Sequence, residues 1–547
     1  MVDPTTLAVV RGAFQEIANE MDAAFYSTAF SPIIAEGKDI ASGLYHPTSG
    51  EVIAQGEQSL PLFVTVMQHT AQAVLESIKG KRQFAPGDIY IVNNPYQGGT
   101  HLMDVKMVTP YFVDGELFAL LANTGHWPDV GGAVPGGFNA RATESYQEGL
   151  VISPVRLYRE GVLDEELLDF ILRNVRVPKA RVGDIHAQVA ALHVGTTRLD
   201  ELVEKFGVGV LISSIGEIFQ RAETVMRSFL REIPEGSYHY VEHMDSDGID
   251  PGPLTIDLVM TAANGGITLD FSGSSAPCKG PINSVLSSTV SACHVALKHI
   301  FLEVPINAGA FRPVKIIVPE TTFLNAQAPK PVSGSTAEVS QRIIDTIFGA
   351  FAQIIPDKIT AGSFSTTNNL TIGGTDSIMG EYVLYLYFGG GYGAFAGGDG
   401  ISNGCSLHST ARMTPMEVYE ERYPFKVHHF QLHQASGGKG QFRGGFGVDL
   451  AMELLRGEAT MALLGDRGRF FPKGLEGGED GLGTKVSVLR ANGDVYIPPA
   501  LTKDDNVKLR AGDVVRVCTP GGAGYGPRFM RDPQAVQNDE LCGYYAQ

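Results

Sequence analysis

The chain has 547 residues, 44% of them hydrophobic and 19% charged, a length that calls for about three or four cores and a composition able to bury them. Its formal net charge of −18 argues against nucleic acid or an anionic membrane surface as the main partner. The sequence holds no apolar run of about 18 residues, so no transmembrane helix is expected, and its first 25 residues lack the basic start of a signal peptide. Five scattered cysteines, at positions 278, 293, 405, 518 and 542 with no C-x-x-C spacing, fit reduced thiols in a cytoplasmic protein.

In chain order, Asp3-Pro4 opens a helix, with Asp as cap and Pro at the first helical position. Leu7, Val10, Phe14, Ile17, Met21 and Phe25 then recur at helical spacing. A polar stretch ending in Asp39 enters a strand over 40–45, which turns back through 47–50. Asp39 at that strand entrance is a metal-ligand candidate or a solvated turn residue, and spacing alone favours the turn. A second helix covers 63–79, and a strand over 89–92 leads into the most informative stretch.

Residues 88–132 hold two short clusters of metal-ligand residue types, Thr100-His101-Leu102-Met103-Asp104 and Gly125-His126-Trp127-Pro128-Asp129. Apolar runs between them are joined by Asp114-Gly115, a strong hairpin signal because both turn positions need φ > 0. With those two as the turn, paired positions sum to 229: Asp104 faces Gly125 beside His126, and His101 falls opposite Pro128. Both clusters thus meet at the open end of one hairpin. Two imidazoles with one or two carboxylates suit Zn, Mn or Fe with a position left open for water. Further on, Glu148 is a general acid/base candidate or a plain helix-end carboxylate.

Helices are expected over 164–174, 182–206 and 211–233. Pro234-Glu235-Gly236 then marks a change to strands, at 237–243, 254–260 and 267–271, with helices over 287–301 and 338–355. The loop Ser333-Gly334-Ser335-Thr336 before the latter reads as a cap more than an anion site. The run Gly389-Gly390-Gly391 lacks the lysine of a phosphate loop and reads as close backbone approach. His428, His429 and His433 read as residues of a surface strand. The fold class is therefore α+β and multidomain: a helical, hairpin-bearing N-terminal domain (1–233), a mixed middle domain (234–414) and a β-rich C-terminal module (415–547).

The segments DPTTLAVVRGAFQEIANEM, TAFSPIIAEGKDIASGLY, PGDIYIVNNPYQGGTHLMDV, YQEGLVISPVRL, GPINS, PINAGAFRPV, RYPFKVHHFQL and TPGGAGYG together resemble the hydantoinase B/oxoprolinase family, the GGTHLMD and GHWPDVGG pair most specifically. The resemblance implies a metal-bearing subunit of an ATP-dependent cyclic-amide (hydantoin or lactam) hydrolase of the N-methylhydantoinase type. A separate A-type ATPase subunit would bind ATP and phosphorylate the substrate, making a hetero-oligomer, and this chain would deliver metal-bound water to open the ring. It also implies ligands at His101, Asp104 and His126, with Asp39 in the matching GKDI segment as a further one, and leaves Asp129 or Glu148 to orient or deprotonate the water. Other members of the family make a ketone-carboxylase subunit the alternative, and a non-catalytic partner of the ATPase a third. The sequence departs from the family pattern at Gln58–Phe63, where the usual histidine is missing, and at Gly37-Lys38, where a basic pair is expected. Trp127, the sole tryptophan, is a pocket wall or plain core.

Overall fold

The computed structural model describes residues 2–81 and 83–545. Helix α1 (Pro4–Thr28) starts as the sequence predicts: Asp3 accepts hydrogen bonds from the Thr5 and Thr6 amides, and the apolar positions at helical spacing are all buried. A single turn, α2 (Pro32–Ala35), delivers the chain to β1 (Ile40–Tyr45), β2 (Val52–Gln55) and α3 (Phe63–Ile78). Then come β3 (Ile89–Val92), the long pair β4 (Asp104–Val113) and β5 (Glu116–His126), and the short strands β6 (Val155–Arg159) and β7 (Val162–Leu163). They form one sheet in the order β2-β1-β5-β4-β3-β6-β7. Helices α4 (Glu165–Arg173), α5 (Pro178–Phe206) and α6 (Val208–Leu230) follow, with α5 packed on both α1 and β5.

The middle region holds β8 (Gly236–Met244), β9 (Leu254–Ala263), β10 (Gly266–Asp270), α7 (Leu286–Ile300) and β11 (Val314–Ile317), with the sheet order β11-β10-β9-β8. Helix α8 (Ser340–Ala352) is entered through a π-helical turn, Ser335–Val339, a local widening found most often at functional sites. The expected helix at 338–355 is thus displaced toward the N-terminus.

Strands β12 (Asn369–Asp376), β13 (Gly380–Leu386), β14 (Phe425–Leu432), β15 (Val448–Leu454), β16 (Glu458–Leu464), β17 (Lys485–Leu489), β18 (Val495–Tyr496), β19 (Lys503–Arg510) and β20 (Val514–Cys518) complete the chain, with α9 (Met416–Arg422) and α10 (Pro533–Leu541). They make two sheets, β13-β12-β16-β19 and β14-β15-β20-β17-β18. Strand β12 pairs with both β13 and β16, and the three share one apolar core, which draws residues 369–386 into the same β structure. Sequence order hides this, because the partners lie about 90 residues apart in the chain.

The glycine run after β13 does approach other backbone closely. A Cβ at Gly391 would lie 2.0 Å from the Gly445 carbonyl oxygen and 2.3 Å from the Gly522 nitrogen. His428 and His429 lie on β14 as expected, yet carboxylates are near: Glu453 is 3.0 Å from His428 and Asp449 is 3.2 Å from His429. Trp127 is core. It is fully buried, donates to Gln188 and lies against the Arg181 guanidinium.

Candidate metal centre

The hairpin turn forms as the Asp-Gly pair requires, with Asp114 at φ 50° and Gly115 at φ 84°. Next to the turn, Val113 pairs with Glu116 and Phe112 with Leu117, the expected sum of 229; Tyr111 then pairs with Ala119. Phe118 is the extra residue of a β-bulge. It advances the register by one, so Asp104 pairs with His126 rather than with Gly125. The bulge therefore sets the last residue of β5 against the first residue of β4, tightening the meeting that turn arithmetic foresaw.

His101 comes from the loop just before β4, where the Asp104 amide donates to its carbonyl. His101 Nε2 lies 2.9 Å and His126 Nδ1 3.3 Å from Asp104 Oδ1. The three side chains are at least 97% buried, and each offers a ligand atom within 4.8 Å of the others. His101 Nε2 is near Asp104 but not aligned for a hydrogen bond, and His126 Nε2 has no hydrogen-bond partner among the described residues. Buried nitrogens left this way are costly in an apolar core. They are the donor set a divalent cation takes, so the residues fit the metal that the hairpin pattern implies.

Asp104 is held for that role. Burial pushes its pKa up, but the neighbouring His101 and His126 imidazoles and the charge of Lys106 outweigh burial and keep it well below the usual carboxylate range. Thr100 donates to Asp104 Oδ2 at 2.5 Å, and Lys106 donates to both Thr100 Oγ1 and the Asp104 carbonyl at 3.0 Å. Lys106 itself is fully buried, and burial brings its pKa down to about 8 against the pull of Asp104.

Asp39 stands beside this group without belonging to the close set of three. Its carbonyl accepts the His126 amide at 3.1 Å. Burial first, and the charge of Asp104 second, raise its carboxyl pKa well above normal, so spacing misled when it favoured a solvated turn. The other two candidates are placed differently. Asp129 accepts from the amides of Gly131, Gly136 and Arg176 and from the Arg176 guanidinium at 2.8 Å, which commits it to holding its own loop. Glu148 accepts the Val332 and Ser333 amides. Asp129 thus carries four donors on its two oxygens, whereas each Glu148 oxygen accepts one amide and burial raises the Glu148 pKa to about 7.

Residues the sequence reading missed complete the surroundings. Tyr385 stacks on His126 at 4.8 Å and donates to Asn369, and Phe138 lies against both histidines. His408 is buried with Nδ1 unpartnered; burial brings its pKa down to about 3, and it feels the charges of Asp104 and His101. The Tyr387 hydroxyl is also buried without a partner. Lys106 had a readable signal, as a lone charge two residues past Asp104 in an otherwise apolar strand. Tyr385 and His408 had none, since they come from a different part of the chain.

The hydantoinase B/oxoprolinase family model matches residues 3–528. The β subunit of caprolactamase from Pseudomonas jessenii is 31% identical over 99% of this chain and 94% of its own length. The crystal structure of the ATP-dependent caprolactamase from that organism superposes with a TM-score of 0.89 and 27% identity, covering 100% of this chain and 95% of that one. A nucleotide-free acetone carboxylase chain shares the fold, with a TM-score of 0.91 at 20% identity, over 100% of this chain and 78% of that one.

Proposed function

The chain belongs to the hydantoinase B/oxoprolinase family, and from that premise we propose that it is the metal-bearing subunit of an ATP-dependent hydrolase of cyclic amides. A partner ATPase subunit activates the substrate, and this chain completes the ring opening. The observation that carries the reading is the buried set of His101, Asp104 and His126, with its unpartnered imidazole nitrogens and a carboxylate kept ionised.

His101, Asp104 and His126 would hold a divalent cation of the Zn, Mn or Fe kind, with Asp39 as a fourth ligand. When bound, such a cation supplies Lewis acidity and lowers the pKa of a coordinated water towards neutrality. Thr100 holds the Asp104 carboxylate, Lys106 holds Thr100 and the Asp104 carbonyl, and Tyr385 and Phe138 give the imidazoles a rigid aromatic wall. An unstrained lactam or hydantoin is a poor electrophile. Transfer of a phosphoryl group from ATP to its carbonyl oxygen makes the adjacent carbon reactive. That carbon takes up water, its ring C–N bond breaks with the proton passing to nitrogen, and a second water releases phosphate. Burial of the whole set excludes bulk solvent, which strengthens every charge interaction in it.

The reading is tested by purifying the chain with its A-type partner and following ATP-dependent opening of hydantoin, caprolactam and oxoproline. Ring opening that depends on both subunits and falls at least about 100-fold in His126→Ala is the expected result. ATP-dependent fixation of labelled bicarbonate into a ketone, with no ring opening, would assign a carboxylase subunit instead.

A further inference from the structure

Glu148 follows the one-turn 3₁₀ helix Ser145–Gln147 and is 1% exposed. Its carboxylate reaches 185 residues along the chain. Oε1 accepts the Ser333 amide at 2.7 Å and Oε2 the Val332 amide at 2.9 Å. The peptide beyond those two amides ends at the metal cluster, because the Ser333 carbonyl oxygen lies 3.2 Å from His101 Nδ1. A carbonyl oxygen only accepts, so that contact places a proton on Nδ1 and leaves Nε2 as the nitrogen whose lone pair a cation would take. Nε2 is the nitrogen that faces Asp104.

The segment carrying Ser333 is held from the same side by neighbouring contacts. The Ser145 amide donates to the Pro329 carbonyl, and the Tyr96 hydroxyl donates to the Lys330 carbonyl. On the far side, the Gly334 amide donates to the Pro281 carbonyl. Within this frame the Val332 and Ser333 amides converge on the two oxygens of Glu148. Two N–H donors on one carboxylate hold the Val332–Ser333 backbone more tightly than either alone. The Ser333 carbonyl belongs to the next peptide, so Glu148 fixes it from the Ser333 side while the Gly334 amide, bonded to the Pro281 carbonyl, fixes it from the other.

We propose that Glu148 is a positioning residue for His101: by clamping the Val332–Ser333 backbone it aims the Ser333 carbonyl at Nδ1 and so fixes the tautomer and tilt of the imidazole that faces the metal. The proposal rests on the metal-centre reading above. It replaces a proton-transfer role for Glu148 with a mechanical one. Gln in its place keeps one acceptor and turns an N–H₂ towards the other amide, while Ala removes both acceptors, so the two variants form a graded pair.

The test uses the full chain with histidine ¹⁵N-labelled. Long-range ¹H–¹⁵N spectra read the His101 tautomer, identified by loss of its signals in His101→Gln. Competition with a chromophoric chelator reads Zn²⁺ and Co²⁺ affinity, and the visible spectrum of the Co²⁺ form reads ligand geometry. The expected results are a pure Nδ1–H tautomer in the native chain, a mixed tautomer in Glu148→Gln and Glu148→Ala, an altered Co²⁺ spectrum, and cation affinity lower by about 10- to 100-fold. An Nε2–H tautomer in the native chain would overturn the proposal whether or not the variants fold. So would folded variants with native tautomer and affinity. A native chain with the Nδ1–H tautomer that binds neither cation would instead overturn the metal-centre reading and leave the Glu148 relay standing.

Discussion

At the scale of single residues, the ligand types were legible but their supports were only partly so. His101, Asp104 and His126 sit where a His-x-x-Asp unit and a matching histidine predict. Thr100 and Lys106 act on Asp104 from the same strand entrance, and nothing in the pattern distinguishes a hydroxyl that orients a carboxylate from one that caps a turn. Thr100→Val removes the donor to Asp104 Oδ2 at nearly constant volume. It is expected to weaken Zn²⁺ binding about 10-fold with secondary structure unchanged, as read by chelator competition and circular dichroism. Unaltered affinity would contradict a role for Thr100 in holding the carboxylate. Asp129 shows the limit from the other side: four donors on one carboxylate mark a loop anchor, and only coordinates reveal that its lone pairs are taken.

At the scale of elements, the hairpin was foreseen and its register was off by one. The bulge at Phe118 has no sequence signature, since its cost and gain are set by the neighbouring strands β1 and β3 and not by local propensity. Two glycines of this hairpin separate backbone strain from packing. Gly115→Ala places a Cβ in open space at φ 84° and is expected to cost about 1 kcal/mol by urea unfolding, with cation stoichiometry unchanged. Gly125→Ala directs its Cβ to 2.6 Å from the Phe25 ring. It is expected to cost about 1–3 kcal/mol and, because β5 ends at His126, to weaken cation binding too. Equal effects of the two substitutions on cation binding would contradict the view that the end of β5 is seated by α1.

At the scale of the whole molecule, pairing between β12 and β16 joins segments far apart in sequence, so chain order alone does not show which strands share a sheet. Tyr385 and His408 approach the His101, Asp104 and His126 group from that same distant region, which is why these neighbours were illegible while the hairpin was not. Buried ionisable groups spread through the fold also set its pH response. Burial raises the pKa of Asp22 to about 7 and of Glu338 to about 8, and lowers His69 to about 4 and His294 to about 3. A carboxyl with a raised folded pKa contributes stability at low pH that is lost as pH climbs through about 4 to 8; a histidine with a depressed one gains stability as pH climbs from about 3 to 6.5. The two oppose each other below about pH 6.5, and only the carboxyls act above it. The melting temperature of the metal-free chain is therefore expected to fall between about pH 6.5 and 8, and Asp22→Asn should flatten that fall. A melting temperature rising across this window would contradict the assignment.

The central claim is that this chain itself holds a metal at the open end of the β4–β5 hairpin. Elemental analysis of the purified chain alongside His101→Ala and His126→Ala, each shown to be folded, tests it most directly. One divalent cation per native chain, lost from both variants, is the predicted result; native metal content retained in both would contradict it.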